Sequence, residues 1–155
     1  MEEDIGGQRI SLSSTSCAYQ PCYIGKNLVI GENVSIGSMC HIGRNVTIGD
    51  NSNIQGANYI ADQTIVGSDV FIGPNSTILN DKYPPSGSKN KWKPVQIHND
   101  VIIGGGCTIL PGAHLGTGAV LGGGSVLTKP IPAGEVWAGN PAEFQMTREA
   151  YNTKR

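Results

Sequence analysis

The side chains able to do chemistry in this 155-residue chain are few, and most stand near a break in an otherwise regular sequence. Asn80-Asp81-Lys82-Tyr83 sets an amide beside a carboxylate just before two prolines, and Trp92 follows in the same stretch. Such a pair can accept hydrogen bonds or take a proton; it can equally cap a turn. His41, His98 and His114 are the candidate bases. Four cysteines at irregular spacing, with no CxxC, give neither a zinc signature nor a disulfide framework. The glycine triplets Gly104–Gly106 and Gly122–Gly124 would let a ligand approach bare backbone, or would simply make turns.

These residues sit in an unusual background. Glycine accounts for 22 of 155 residues, about twice ordinary usage, while aromatics are 6% and charged residues 15%. Abundant Ile and Val argue against disorder, and glycine does not recur every third residue as collagen requires. A net charge of -1 gives no bulk attraction to nucleic acid or membrane surfaces. No run approaches the roughly 18 apolar residues of a membrane span, and the start, MEEDIGGQR, is acidic where a secretory signal is basic then apolar. A cytoplasmic location is the default expectation.

What remains is a repeat. Stepping by six from Leu12 gives Leu12, Ala18, Ile24, Ile30, Ile36, Ile42, Ile48, Ile54, Ile60, Val66, Ile72 and Ile78, all apolar. The phase resumes at Ile97, Ile103, Ile109, Leu115, Leu121 and Leu127. Two positions earlier stand small or apolar residues such as Cys22, Val34, Cys40, Ser52, Cys107 and Ser125. Strand alternation points both positions inward. Each hexapeptide is then a short strand and a turn, the turns made by glycine and by Asn27, Asn33 and Asn45. Three strands close a coil of about eighteen residues, and six coils stacked at roughly 4.8 Å form a prism about 29 Å tall. Cys22, Cys40 and Cys107 become core filler, and Cys17, one residue out of phase, is expected to be exposed.

Between Ile78 and Ile97 lie thirteen more residues than a turn needs, so residues 79–95 are expected to project as a loop. If the loop only replaces a corner, Ser35, Asn53, Phe71, Ile102 and Val120 align on one face, whose apolar later coils should be covered, which makes it the expected contact face between prisms; a loop occupying a full edge would rotate it. The stack is expected to end near residue 142, leaving 143–155 as a short exposed helix capping the solenoid.

The repeat is similar to that of hexapeptide-repeat, left-handed parallel β-helix proteins, an all-β fold whose members form homotrimers. Val70 to Ser86, VFIGPNSTILNDKYPPS, and Ile54-Gln55-Gly56-Ala57 resemble nucleotide-sugar N-acetyltransferases, notably those acting on dTDP-3-amino-3,6-dideoxyhexoses. Gly122 to Lys129 and Gly139-Asn140-Pro141-Ala142 resemble the terminal coil of coenzyme-A-dependent hexapeptide acyltransferases. The resemblance implies acetyl-CoA as cosubstrate, a dTDP- or UDP-linked amino sugar as acceptor, and no metal.

It also implies roles. Gly104, Gly105, Gly122 and Gly123 would bed the pantetheine arm, with N–H groups near the thioester oxygen. Lys129 would meet a phosphate, unless it is simple solvated surface, and Asn140 and Pro141 would complete the coenzyme site. Asn80 would orient the amine and Asp81 take its proton or bind its ammonium form. Tyr83 and Trp92 would stack on the nucleotide base or pack back on the prism. Galactoside and maltose O-acetyltransferases share the PVxI strand seen here as Pro94-Val95-Gln96-Ile97 and place a histidine base in the loop before it; this loop has none. A neutral amine attacks a thioester without a strong base, which favours N-acetylation. An O-acetyltransferase drawing its histidine from elsewhere, His114 among them, and a non-catalytic scaffold are the alternatives. Pro85 stands where the family usually has an Arg, so that contact does not carry over. Zinc held by three histidines, known in carbonic anhydrases of this fold, does not suit histidines so dispersed.

Overall fold

A computed structural model describes residues 7–155; the first six residues of the acidic start lie outside them. The hexapeptides form a parallel β-helix with three faces. Face I stacks Cys17–Tyr19, Ser35–Ile36, Asn53–Ile54, Phe71–Ile72, Ile102–Ile103, Val120–Leu121 and Glu135–Gly139. Face II runs from Tyr23–Ile24 through His41–Ile42, Tyr59–Ile60, Thr77–Ile78 and Thr108–Ile109 to Val126–Leu127. Face III carries Val29–Ile30, Thr47–Ile48, Ile65–Val66, Gln96–Ile97 and His114–Leu115, and a bridge from Leu115 to Ile131 begins a further rung.

The inward column is the core. Ile36 through Ile60, then Ile72, Ile78, Ile97, Ile103, Ile109, Leu115 and Leu121, are fully buried, while Leu12, Ile24 and Ile30 of the first coil are only partly so. Each fully buried one contributes about 1.5–3 kcal/mol by leaving water. The small inward slot has a second use. Its polar residues reach the corner carbonyl fifteen residues on: Ser16 Oγ donates to Gly31 O at 2.9 Å, Ser52 Oγ to Gly67 O at 2.8 Å and Asn58 Nδ2 to Gly73 O at 3.0 Å. The thiols of Cys40 and Cys107 do the same toward Gln55 O and Gly122 O, at 3.1 and 3.2 Å. Buried polar groups are thus satisfied at a thin core's corners. Cys17 departs from expectation: it is buried, because the strand Arg9–Ser11 pairs antiparallel with Cys17–Tyr19.

Corners recur every six residues with one left-handed position each, from Asn27 (φ 60°), Asn33 (φ 56°) and Asn45 (φ 56°) onward. Asn27 Nδ2 donates to Asn45 Oδ1 at 2.9 Å, so these side chains also ladder along the axis. The glycine after the inward residue answers to a different constraint. A Cβ on Gly73 would stand 2.5 Å from the backbone nitrogen of Gly105 in the next coil.

The loop replaces a single corner, between faces II and III. Ile65 pairs with Gln96 and Val66 with Ile97 across it, and Ser35, Asn53, Phe71, Ile102 and Val120 fall into register on face I. At least part of the cover over that face's later coils comes from the chain itself. Residues 143–155 are not all helix: Ala142–Thr147 is a strand antiparallel to Glu135–Gly139, and only Arg148–Asn152 is helical. The open edge of face I offers hydrogen-bond partners along the strand, apart from a register shift between Val136 and Trp137, which outweighs the helix propensity of Glu143 and its neighbours. Thr147 caps the helix, and Arg148 Nη1 donates to Asp100 O and Gly118 O at 2.9 and 2.8 Å, fixing it beside Phe71 and Ile102.

Candidate active site

The loop leaves and rejoins the prism through a two-stranded neck. Asp81 bridges Trp92 antiparallel, and Lys93 N–H donates to Asn80 O at 2.6 Å. A 3-10 turn, Lys89–Lys91, brings the chain back to Trp92. Two cavities flank this neck, and the residues expected to act together divide between them.

A groove of about 320 Å³ lies on the earlier coils of face II and receives Asn80 and Trp92. Its floor is a column that the sequence reading missed: Tyr23, His41 and Tyr59 stack with ring centroids 4.6 and 4.8 Å apart and planes within 18°. Arg44, Asp62 and Asn80 follow one another up the adjoining corner. Asn80 Nδ2 donates to Asp62 O at 3.2 Å, and its Oδ1 accepts no hydrogen bond among the described residues. Burial pushes the Asp62 carboxyl up, but the Arg44 backbone N–H, the Arg44 guanidinium and nearby Lys89 together hold it below its ordinary value. The signal for this groove was the eighteen-residue spacing applied to outward positions: 23, 41 and 59, and 44 and 62.

A smaller cavity of about 250 Å³ lies on the loop's other side, between Leu79, Asp81, Tyr83 and the later corner residues Leu110, Pro111 and Thr128. Asp81 Oδ2 accepts from Ser86 N–H at 2.9 Å, while Oδ1 is shielded from solvent without a partner. The Ser86 N–H, with Lys91 behind it, holds the Asp81 carboxyl below its usual range. Asp81 is therefore an acceptor and an anion at neutral pH. Tyr83 stands 77% exposed and does not meet Trp92 in one cavity.

Gly104, Gly105, Gly122 and Gly123 stack on the corner between faces I and II, across face II from the loop. A Cβ on Gly104 would collide with the backbone of Gly123, so coil stacking alone requires that glycine. Gly105 and Gly123 have more room, their added Cβ atoms meeting Pro74 O at 3.1 Å and Gly105 O at 3.3 Å. Ser125 Oγ donates to Gly122 O and accepts from Gly139 N–H at 3.0 Å, which ties the turn at Asn140-Pro141 to this same column. Lys129 is exposed near the next corner, and His98 and His114 are exposed, apart from both cavities. Among the described residues no three His, Cys, Asp or Glu side chains converge as a metal site.

The hexapeptide profile of bacterial transferases, described as six repeats, matches residues 27–57, 45–80 and 94–129. The chain belongs to this bacterial transferase hexapeptide family. Among curated relatives, a 2,3,4,5-tetrahydropyridine-2,6-dicarboxylate N-acetyltransferase of Staphylococcus aureus is 37% identical over 90 residues, 57% of this chain. That match spans only 36% of the relative's length. Among solved structures, AntD, an N-acyltransferase from Bacillus cereus in complex with dTDP and 3-hydroxybutyryl-CoA, superposes with a TM-score of 0.76 at 19% identity, over 91% of this chain and 85% of its own. PerB from Caulobacter crescentus, in complex with CoA and GDP-perosamine, gives 0.75 at 19% identity over 85% and 57%. The acetyltransferase domain of PglB from Neisseria gonorrhoeae, with acetyl coenzyme A, gives 0.72 at 18% over 84% and 57%. These likenesses establish the fold, the all-β helix of hexapeptide repeats expected from the sequence. Among the described residues no helix is long and apolar enough to cross a membrane.

Proposed function

We propose that this chain is an acetyl-CoA-dependent N-acetyltransferase whose acceptor is the amino group of a dTDP- or UDP-linked amino sugar. The observation that carries this reading is the loop neck. Asn80 Oδ1 and Asp81 Oδ1 are both acceptors unclaimed by the protein, and no histidine lies in the loop. Asn80 orients the amine from the groove; Asp81, an anion by its surroundings, stands across the neck and receives the proton only from an amine that reaches past it, solvent or the leaving thiolate taking it otherwise, as the neutral amine attacks the thioester carbonyl. The nitrogen–carbon bond forms as the carbon–sulfur bond breaks, and coenzyme A leaves as the thiolate. Gly105 and Gly123 border the pantetheine arm, with backbone N–H groups for the oxyanion; Asn140 and Pro141 complete that corner, and Lys129, on the loop edge of face II, meets the phosphate of a coenzyme bound against a neighbouring prism. The CoA and GDP-perosamine held by PerB, and the dTDP and 3-hydroxybutyryl-CoA held by AntD, on the same fold support the pairing of substrates.

Glycine column and loop stand on opposite edges of face II, so acyl donor and acceptor meet most simply where the column of one prism faces the loop of another. The reading therefore includes a homotrimer with sites between subunits, working in the cytoplasm. One observation favours a second reading: His41 lines the groove that Asn80 enters, which an O-acetyltransferase could use as its base. A thiol-release assay with acetyl-CoA against dTDP- and UDP-amino sugars and their hydroxyl counterparts separates the two. Turnover with amines alone supports the proposal; turnover with hydroxyl acceptors alone sinks it. Asn80→Ala and Asp81→Ala should each lower turnover by about a hundredfold.

A further inference from the structure

The aromatic column on face II stops one rung short of the loop. Tyr23, His41 and Tyr59 occupy the same outward position in three successive coils, and the residue in register above Tyr59 is Thr77. The ring spacings of 4.6 and 4.8 Å match the spacing of the coils, so the rings stack along the prism axis. His41 covers one face of the Tyr59 ring, and the residue remains 43% exposed. A threonine rung leaves the depth of a planar ring against the other face. Asn80 and Trp92 wall the same groove, and Lys89 carries its charge beside Trp92, with Nζ 6.0 Å from the ring centroid. Arg44 is already neutralised by Asp62.

We infer that the open face of Tyr59 is the platform for the nucleobase of the acceptor, which lies over Thr77 as the fourth ring of the column, with Trp92 at its edge and the diphosphate toward Lys89. This inference rests on the nucleotide-sugar reading and goes beyond it. It moves base recognition from Tyr83, across the neck, to Tyr59, and assigns Thr77 the role of keeping a slot open. Stacking tolerates any base, so the platform supplies affinity, and base identity must be read at the ring's edge.

Binding of dTDP, UDP and GDP by calorimetry, with thermal melts of each variant, tests it. Tyr59→Leu should weaken binding about fivefold to a hundredfold, whereas Tyr23→Leu, two coils below, should change it far less. Thr77→Phe is the sharper variant: its ring completes the column, so the melting temperature should hold or rise while nucleotide binding falls beyond measurement. Wild-type affinity in Thr77→Phe, or equal weakening in both tyrosine variants in step with their melting temperatures, would overturn the platform and leave the nucleotide acceptor standing. No binding of any nucleoside diphosphate to the wild-type protein would overturn both.

Discussion

Arg44 and Asp62, one coil apart on the corner that leads up to Asn80, are joined three ways. The Arg44 N–H donates to Asp62 Oδ1 at 2.8 Å, Nε donates to Oδ2 at 2.9 Å, and Nη2 lies 2.7 Å from Oδ2. The backbone bond makes the pair part of the coil stack as well as a surface ion pair. Because the folded carboxyl titrates below its ordinary value, its contribution is present above the unfolded carboxylate pKa and is lost as pH falls through the folded one. With Arg44 nearly half exposed, Asp62→Asn should cost no more than about 1 kcal/mol at pH 7. Urea unfolding of both proteins should show the gap closing as pH falls below the ordinary carboxylate range; a gap constant with pH would mean the ion pair contributes nothing.

Two classes of glycine can be told apart by substitution. Gly104→Ala forces its methyl into the Gly123 backbone and should destabilise by about 1–3 kcal/mol or prevent folding. Gly123→Ala meets one backbone atom tightly, Gly105 O at 3.3 Å, a contact that a shift of a few tenths of an ångström relieves, so its melting temperature should stay within a few degrees of wild type. Its KM for acetyl-CoA should rise about tenfold if the coenzyme lies against that backbone. A folded Gly123→Ala protein with unchanged KM removes this corner from the coenzyme site.

Thiol reactivity should follow depth. Cys40 and Cys107 are buried, and burial pushes both thiols above their ordinary pKa despite nearby backbone donors. Cys22 is half-buried at the first coil, its thiol raised by burial as well. Iodoacetamide at pH 8 followed by mass spectrometry should label Cys22 first and the other two only in denaturant. Early labelling of Cys107 would mean that the later coils open readily.

The six-residue period made the core and the three faces legible, and the alignment of Phe71 with Ile102 on the condition that the loop replaces one corner, because inward and outward positions alternate strictly in short strands. Cys17 and the strand Ala142–Thr147 were not legible, since both depend on the edges of face I recruiting extra strands, a tertiary choice that local propensity opposes. The groove was half legible. Asn80 and Trp92 announce themselves by breaking the phase, but Tyr23, His41 and Tyr59 are unremarkable one at a time and become a surface only when every eighteenth residue is read outward.

The pH dependence of turnover should separate the two candidate bases. The Asp81 carboxyl titrates below its ordinary value, chiefly through the Ser86 N–H, so it is ionised throughout the range from pH 6 to 9 and adds no inflection there. For an amine acceptor, kcat/KM should rise with pH until the amine is neutral, and the midpoint should move with the pKa of the amino sugar supplied. His41→Gln should leave that midpoint in place, even if it lowers the rate by disturbing the Tyr23–His41–Tyr59 stack. A midpoint that ignores the acceptor and vanishes in His41→Gln would make the imidazole the base and favour hydroxyl acetylation.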